Sequence, residues 1–263
     1  MIKKKLLLIG KYSFISSNIY SFLKNKLIIR KISFEQFRET NLTKLKYFDY
    51  ICNCSIKKNY INKIYKSNND LDYLIVKRIK NLSIKFICLS SRKIYPSKSN
   101  LKESSIPEPK NHYSKNKLIT ENKIKKIIKN KFLILRISNL IGKPLKKNNR
   151  KISNTFIDNF FKYKKNQKIF YENNFKDFLS IEQFTNIFYK LLSKNLIGTF
   201  NVSLGKKVYI NEIIEALNHK KNLKFQKINI RKKDSFYLNN KKLKKIIKIK
   251  ITKKDLLDYC SRI

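Results

Sequence analysis

Lys5-Leu6-Leu7-Leu8-Ile9-Gly10-Lys11-Tyr12-Ser13-Phe14-Ile15-Ser16 is an apolar run that ends on a glycine and passes directly into an amphipathic segment, Phe14 to Leu23. A buried strand feeding a helix through a glycine turn is the first half of a βαβ unit. The same alternation continues along the chain. Leu27 to Ser33, Tyr47 to Cys54, Ile84 to Leu89 and Phe132 to Ile137 read as further strands. Asp70 to Leu82 carries Leu71, Leu74, Ile75 and Ile79 at helical intervals, and Tyr113 to Ile128 continues in the same way. Lys98 to Lys110, with Pro107 and Pro109, is a loop. Near-continuous apolar strands alternating with helices predict an α/β fold with a doubly wound parallel sheet over residues 1–142.

After Gly142 the pattern loosens. Helices are expected at Asn154 to Tyr163, Ile181 to Leu192, Ile210 to Leu217 and Asp255 to Cys260, with a short strand at Thr199 to Val202. These are too few strands for a second sheet. Residues 143–263 are therefore expected to form a smaller substrate-binding lid, interleaved with the main domain and packed beside the carboxyl ends of its strands.

The turn at Gly10 is also the first candidate site. A dinucleotide-binding fingerprint places glycine at the first, fourth and seventh positions of such a turn; here Gly10 is followed by Ser13 and Ser16. Each serine brings a Cβ where backbone and phosphate should meet, but also a hydroxyl able to donate to a pyrophosphate oxygen. Gly10, Ser13, Phe14, Ile15 and Ser16 are the candidate phosphate-side residues. An acid is expected at the end of the second strand to hold the ribose hydroxyls. Ile28-Ile29-Arg30-Lys31 offers none, so Arg30 or Lys31 beside a 2′-phosphate would favour NADPH over NADH.

The second candidate site lies in His112-Tyr113-Ser114-Lys115-Asn116-Lys117, with Ser90 and Ser91 upstream at a strand end. Residues four apart share a helix face, so an ammonium at Lys117 would sit beside the Tyr113 phenol and favour its ionised form. The Ser91 hydroxyl would hold a reacting oxygen against that phenol. Such a device moves a proton while something else moves a hydride.

Composition bounds the alternatives. The 263 residues are 42% hydrophobic, enough for one sizeable core. No apolar run reaches the roughly 20 residues that cross a bilayer. The apolar stretch behind Lys3-Lys4-Lys5 stops at Gly10, too short for a signal peptide, so a cytoplasmic location is expected. The net charge of +45 is spread over nearly every segment, and it comes with no Trp, four Gly and a single alanine, Ala216. That pattern is the residue bias of an AT-rich genome, although the charge will still draw anions, less so as salt rises. A basic nucleic-acid-binding protein remains an alternative function. The aromatics fall in apolar helix and strand patterns rather than on a stacking platform, so no specific nucleic acid partner is expected. Cys52, Cys54, Cys88 and Cys260 lack zinc-like spacing, and no metal is expected.

In order along the chain, these pieces resemble the extended short-chain dehydrogenase/reductases of the nucleotide-sugar epimerase/dehydratase type. The likeness runs from about Lys3 to Leu217. It rests on Ser90-Ser91-Arg92-Lys93-Ile94-Tyr95, Glu103 and Pro109, Tyr113 with Lys117 and Glu121, Leu135-Arg136-Ile137-Ser138-Asn139, Lys176-Asp177-Phe178 and Gly198-Thr199-Phe200-Asn201-Val202. The resemblance implies a Rossmann-like fold, an NAD(P) cofactor and a nucleotide-sugar substrate, in polysaccharide biosynthesis. It assigns Tyr113 as general acid/base, Lys117 as its ribose-binding partner and Ser91 as the hydroxyl on the reacting oxygen. Asn53 would lie beside the cofactor, and Ser90 and Asn139 would touch substrate. A homodimer through helices like the one carrying Tyr113 is implied too. Where sugar 4,6-dehydratases have an Asp-Glu pair, this chain has Arg92-Lys93, which argues for a reductase or epimerase. Its compact length and Lys11 resemble the dTDP-4-dehydrorhamnose reductase branch. The alternative within the same fold is a degenerate, cofactor-free member.

Overall fold

The computed structural model describes residues 3–142, 169–172, 174–219, 224–228 and 234–263. Its centre is a six-stranded sheet, every neighbouring pair parallel. The first half of the chain supplies β1 (Lys5–Ile9), α1 (Phe14–Leu23), β2 (Ile28–Ile32), α2 (Phe34–Glu39), α3 (Leu42–Leu45) and β3 (Tyr50–Asn53). Then follow α4 (Lys58–Asn62), α5 (Leu71–Ile79), β4 (Lys85–Ser91), α6 (His112–Ile128) and β5 (Phe132–Ile137). The spatial order is β2-β1-β3-β4-β5, with the strand Gly198–Val202 beside β5. The chain reverses its direction of winding between β1 and β3, and in open parallel sheets ligands bind outside the carboxyl ends of the strands at such a point.

Alternation along each strand divides the core between two layers. Leu6, Leu8, Cys52, Ile87 and Leu135 face α1 and the helix Ile181–Ser193. Leu7, Ile9, Ile51, Phe86, Cys88 and Ile134 face α2, α5 and α6. Burial on both faces is why the strands read as unbroken apolar runs. The four cysteines are free, with Cys52, Cys88 and Cys260 buried.

The expected division at Gly142 departs from this arrangement in one respect. Gly198–Val202 pairs residue for residue with Leu133 to Ile137 of β5, so it completes the main sheet. Ile181–Ser193 buries Phe184, Ile187, Phe188 and Leu191 in the layer that also holds Ile19 and Leu23 of α1. A five-residue strand in isolation has no partner; the open edge of β5 supplies one. The remaining strands among the described residues form two-stranded ladders, Asn139–Ile141 with Phe178–Ser180, Phe175–Lys176 with Val208–Tyr209, and Ile169–Glu172 with Phe225–Ile228, beside the helices Ile210–Asn218, Lys241–Ile247 and Lys253–Arg262. The expected helix Asn154 to Tyr163 lies outside the described residues.

Candidate active site at the carboxyl ends of the strands

At the β1–α1 turn, Gly10 has φ +108°. A Cβ there would lie 2.6 Å from Ser55 Oγ and 3.0 Å from the carbonyl carbon of Cys54, so this position excludes any side chain. Ser13 caps α1, its hydroxyl accepting the Ser16 N–H at 3.1 Å. The first turn of α1 carries no acid, which leaves the positive end of the helix dipole unopposed. Ser16 is fully buried, and among the described residues its hydroxyl has no hydrogen-bond partner. Phe14 and Ile15 pack against the core layer of α1, and the Phe14 ring approaches Gly142. Arg30 stands opposite Leu7 in mid-strand, exposed, in a groove with Lys44, Tyr47 and Phe48. β2 ends at Ile32, two residues beyond Arg30.

At the other side, β4 ends in Ser90 and Ser91, whose side chains take opposite directions as strand neighbours must. Ser91 Oγ accepts the Lys93 N–H at 3.2 Å, folding the chain into a single 3₁₀ turn and leaving the hydroxyl proton free to donate. Ser90 is buried and donates to Glu121 at 2.5 Å, joining a network rather than the groove. In that network Glu121 pairs with Arg136 at 2.7 Å, and Arg136 donates to the Tyr95 hydroxyl at 2.5 Å. Tyr95 in turn donates to Asn201 at 3.1 Å, so the polar chain ties β4, α6, β5 and the sixth strand together.

Tyr113 occupies the first turn of α6. The cap is reciprocal: Asn111 accepts the Ser114 N–H at 3.0 Å, and Ser114 Oγ accepts the Asn111 N–H at 3.1 Å. This fixes the direction in which Tyr113 leaves the helix. Tyr113 and Ser91 line one open groove, walled by Ile56 and Ile61 and carrying Asn62, Lys93, Asn111 and His112. The Lys93 ammonium lies 5.9 Å from the centre of the Tyr113 ring. Arg92, next to it in sequence, turns away; it forms a salt bridge to Asp234 at 2.7 Å and stacks 3.6 Å from Phe236.

Lys117 is one turn further along α6, and its side chain goes inward. Its ammonium sits 3.2 Å from Asp72 on α5, in a pair whose side chains are 8% and 5% exposed. Burial alone would disfavour the charged ammonium, but the Asp72 carboxylate outweighs it and holds Lys117 well above the usual lysine range. Asp72 also accepts from Asn53 Nδ2 at 2.9 Å, and Asn53 Oδ1 accepts the Ser55 N–H at 2.9 Å. Asn53 is thus pinned between the Gly10 turn and Lys117. Asn139 begins the ladder with Phe178 and lies outside the Tyr113 groove.

Asp72 was not legible as a site residue. Sequence placed it among the apolar residues of α5, and its partner is 45 positions away. The residues present fit a nicotinamide dinucleotide at the Gly10 turn, at the acid-free start of α1 and at the groove, while Lys117 is engaged by Asp72.

No family model matches the chain, and no curated protein matches it by sequence. Solved structures match along its whole length. The UDP-N-acetylglucosamine 4-epimerase of Methanobrevibacter ruminantium M1, in complex with UDP-N-acetylmuramic acid, has a TM-score of 0.78 at 19% identity, covering 99% of this chain and 97% of that one. The UDP-glucuronic acid 4-epimerase of Bacillus cereus, in complex with NAD, has a TM-score of 0.73 at 19% identity, covering 98% and 94%. A dTDP-4-dehydrorhamnose reductase of Clostridium acetobutylicum has a TM-score of 0.70 at 18% identity, covering 97% and 98%. At these identities the shared property is the fold, a Rossmann-like parallel sheet flanked by helices.

Proposed function

We propose that this chain is an NAD(P)-dependent reductase or epimerase acting on a nucleotide-activated sugar, with Tyr113 as the general acid/base. One observation carries the reading: Ser91 and Tyr113 meet in a single groove at the carboxyl ends of the strands. The end-to-end likeness of fold to epimerases and a reductase of nucleotide sugars supports it.

The Gly10 turn and the first turn of α1 would hold the pyrophosphate of the cofactor, and Lys117 its ribose. When bound, that group accepts and returns a hydride. Ser91 donates its hydroxyl proton to the reacting sugar oxygen and aligns it with Tyr113. The Tyr113 hydroxyl gives or takes the proton at that oxygen as carbonyl and alcohol interconvert. Ile56 and Ile61 give the open groove one apolar wall, and Asn62 and Asn111 offer amides to sugar hydroxyls. Arg92 and Lys93 place no carboxylate beside Ser91, and Arg92 is held by Asp234, so elimination of water has no acid and base here.

The test is a screen of keto-sugar and hydroxy-sugar nucleotides with NADH and NADPH, run on the parent and on Tyr113→Phe. The variant should keep its circular dichroism spectrum and lose at least about a hundredfold in turnover. Turnover near the parent rate would remove Tyr113 from the chemistry. A second reading, a member of this fold that binds no cofactor, is favoured by the Ser13 hydroxyl lying on the Ser16 N–H and by the Lys117–Asp72 pair. Absence of dinucleotide binding is its signature.

A further inference from the structure

Tyr113 and Lys117 share one helix face, yet only Tyr113 reaches the groove. Lys117 fills a separate recess with Asn53, Ser55, Tyr60, Asp70 and Asp72, where about 10 Å³ of space remains. That is room for about one water molecule and for nothing larger. The recess is built to hold the pair. Asp72 Oδ1 accepts from Asn53 and Oδ2 from Lys117. The Asn53 side chain bonds both the N–H and the carbonyl of Ser55, whose hydroxyl abuts Gly10. Beside it, Asp70 accepts from Tyr65 at 2.8 Å and from Thr120 at 2.7 Å, so a second carboxylate stands in the same buried region. Drawing Lys117 away from Asp72 would leave two buried acids facing each other without a cation.

We infer that Asp72 is an affinity-determining residue of the dinucleotide site: it competes with the hydroxyl oxygens of a bound cofactor for the Lys117 ammonium. The inference rests on the proposed dinucleotide site. In this chain the lysine on the Tyr113 helix face begins from an ion pair, and a ligand must share or displace that pair to use it. Asp72 acts through Lys117 and touches no reacting atom, which makes it a positioning residue. The coupling also reaches the phosphate turn, because the same carboxylate holds Asn53 and, through Ser55, the neighbour of Gly10.

The experiment is a fluorescence titration with NADH and NADPH, at low and high salt, of the parent, Asp72→Asn, Lys117→Met and the double variant. Asp72→Ser is included, because it makes room at the ammonium should the amide fail to fold. ATP is the control for the general effect of removing a negative charge. Relieving competition by one hydrogen bond to a charged group should tighten dinucleotide binding by about tenfold or more. The gain should vanish in the Lys117→Met background and be much smaller for ATP. Parent binding with no gain in either Asp72 variant would overturn the inference and leave the proposed function standing. An equal gain without Lys117 would also overturn it, by showing that the effect is net charge alone. No dinucleotide binding by any variant would remove the proposed function and the inference together.

Discussion

Glu121 is the most exacting test of how the site is held together. It is fully buried, and its carboxylate takes 2.7 and 3.2 Å bonds from Arg136 and a 2.5 Å bond from Ser90. Glu121→Gln keeps the volume but sets an amide N–H₂ against the donors of Arg136, whose side chain is 5% exposed. The guanidinium would then be buried without its counter-charge. Removing one partner of such a pair costs about 3–5 kcal/mol, a large part of the roughly 5–15 kcal/mol that holds a domain together. The assay is urea unfolding followed by circular dichroism, where the midpoint should fall and the slope stay constant. A companion double variant, Glu121→Leu with Arg136→Met, should recover much of the loss, because a neutral pair leaves no bare charge. A loss below about 1 kcal/mol in Glu121→Gln would refute the reasoning. Ser90 belongs to this network, so its neighbour Ser91 should also lose alignment in the destabilised variant.

Two carboxylates should set opposite pH dependences of stability. Burial pushes Asp177 up to about 7 from 3.8, despite hydrogen bonds from the N–H groups of Leu204, Gly205 and Leu238. The folded state then holds the extra proton between those values, so the contribution of Asp177 should decline as pH rises from about 4 to 7. Asp177→Asn should flatten the melting temperature across that window. Asp234 is the reverse: burial opposes it, but Arg92, Ser97 and Lys176 hold it at about 2, so its contribution should be lost as pH falls from about 4 to 2. Asp234→Asn should remove that acid-side slope, and melts across both windows check the pair.

How much of this could be read in advance depends on the range of the interaction. β1, α1 and β5 begin and end at the residues their apolar patterns gave, because burial on both sheet faces writes an unbroken run into the sequence. Gly10 was legible for the same local reason, a turn that admits no Cβ. Ser90 was not separated from Ser91, although strand alternation requires neighbours to face opposite ways, and only one of them could face the groove. The second strand was read within one residue at each end, Leu27 to Ser33 against Ile28–Ile32, because edge pairing stops without a mark in the apolar pattern. The sixth strand was seen as a strand but not as part of the main sheet, since its partner in β5 is 65 positions earlier in the register Val202 to Ile137. Asp72 escaped for the strongest reason. In a chain with 62 basic residues, the spacing of Tyr113 and Lys117 says nothing about which carboxylate will claim the ammonium.

Binding of the nicotinamide dinucleotide is the central claim, and the parent protein tests it directly. NADH and NADPH are titrated by cofactor fluorescence against rising salt, with ATP in parallel because so basic a surface attracts any polyphosphate. Saturable binding that survives high salt and exceeds ATP binding is the predicted result. Binding that fades with salt in step with ATP, or no binding at all, would contradict the account and leave a Rossmann-like fold without its cofactor.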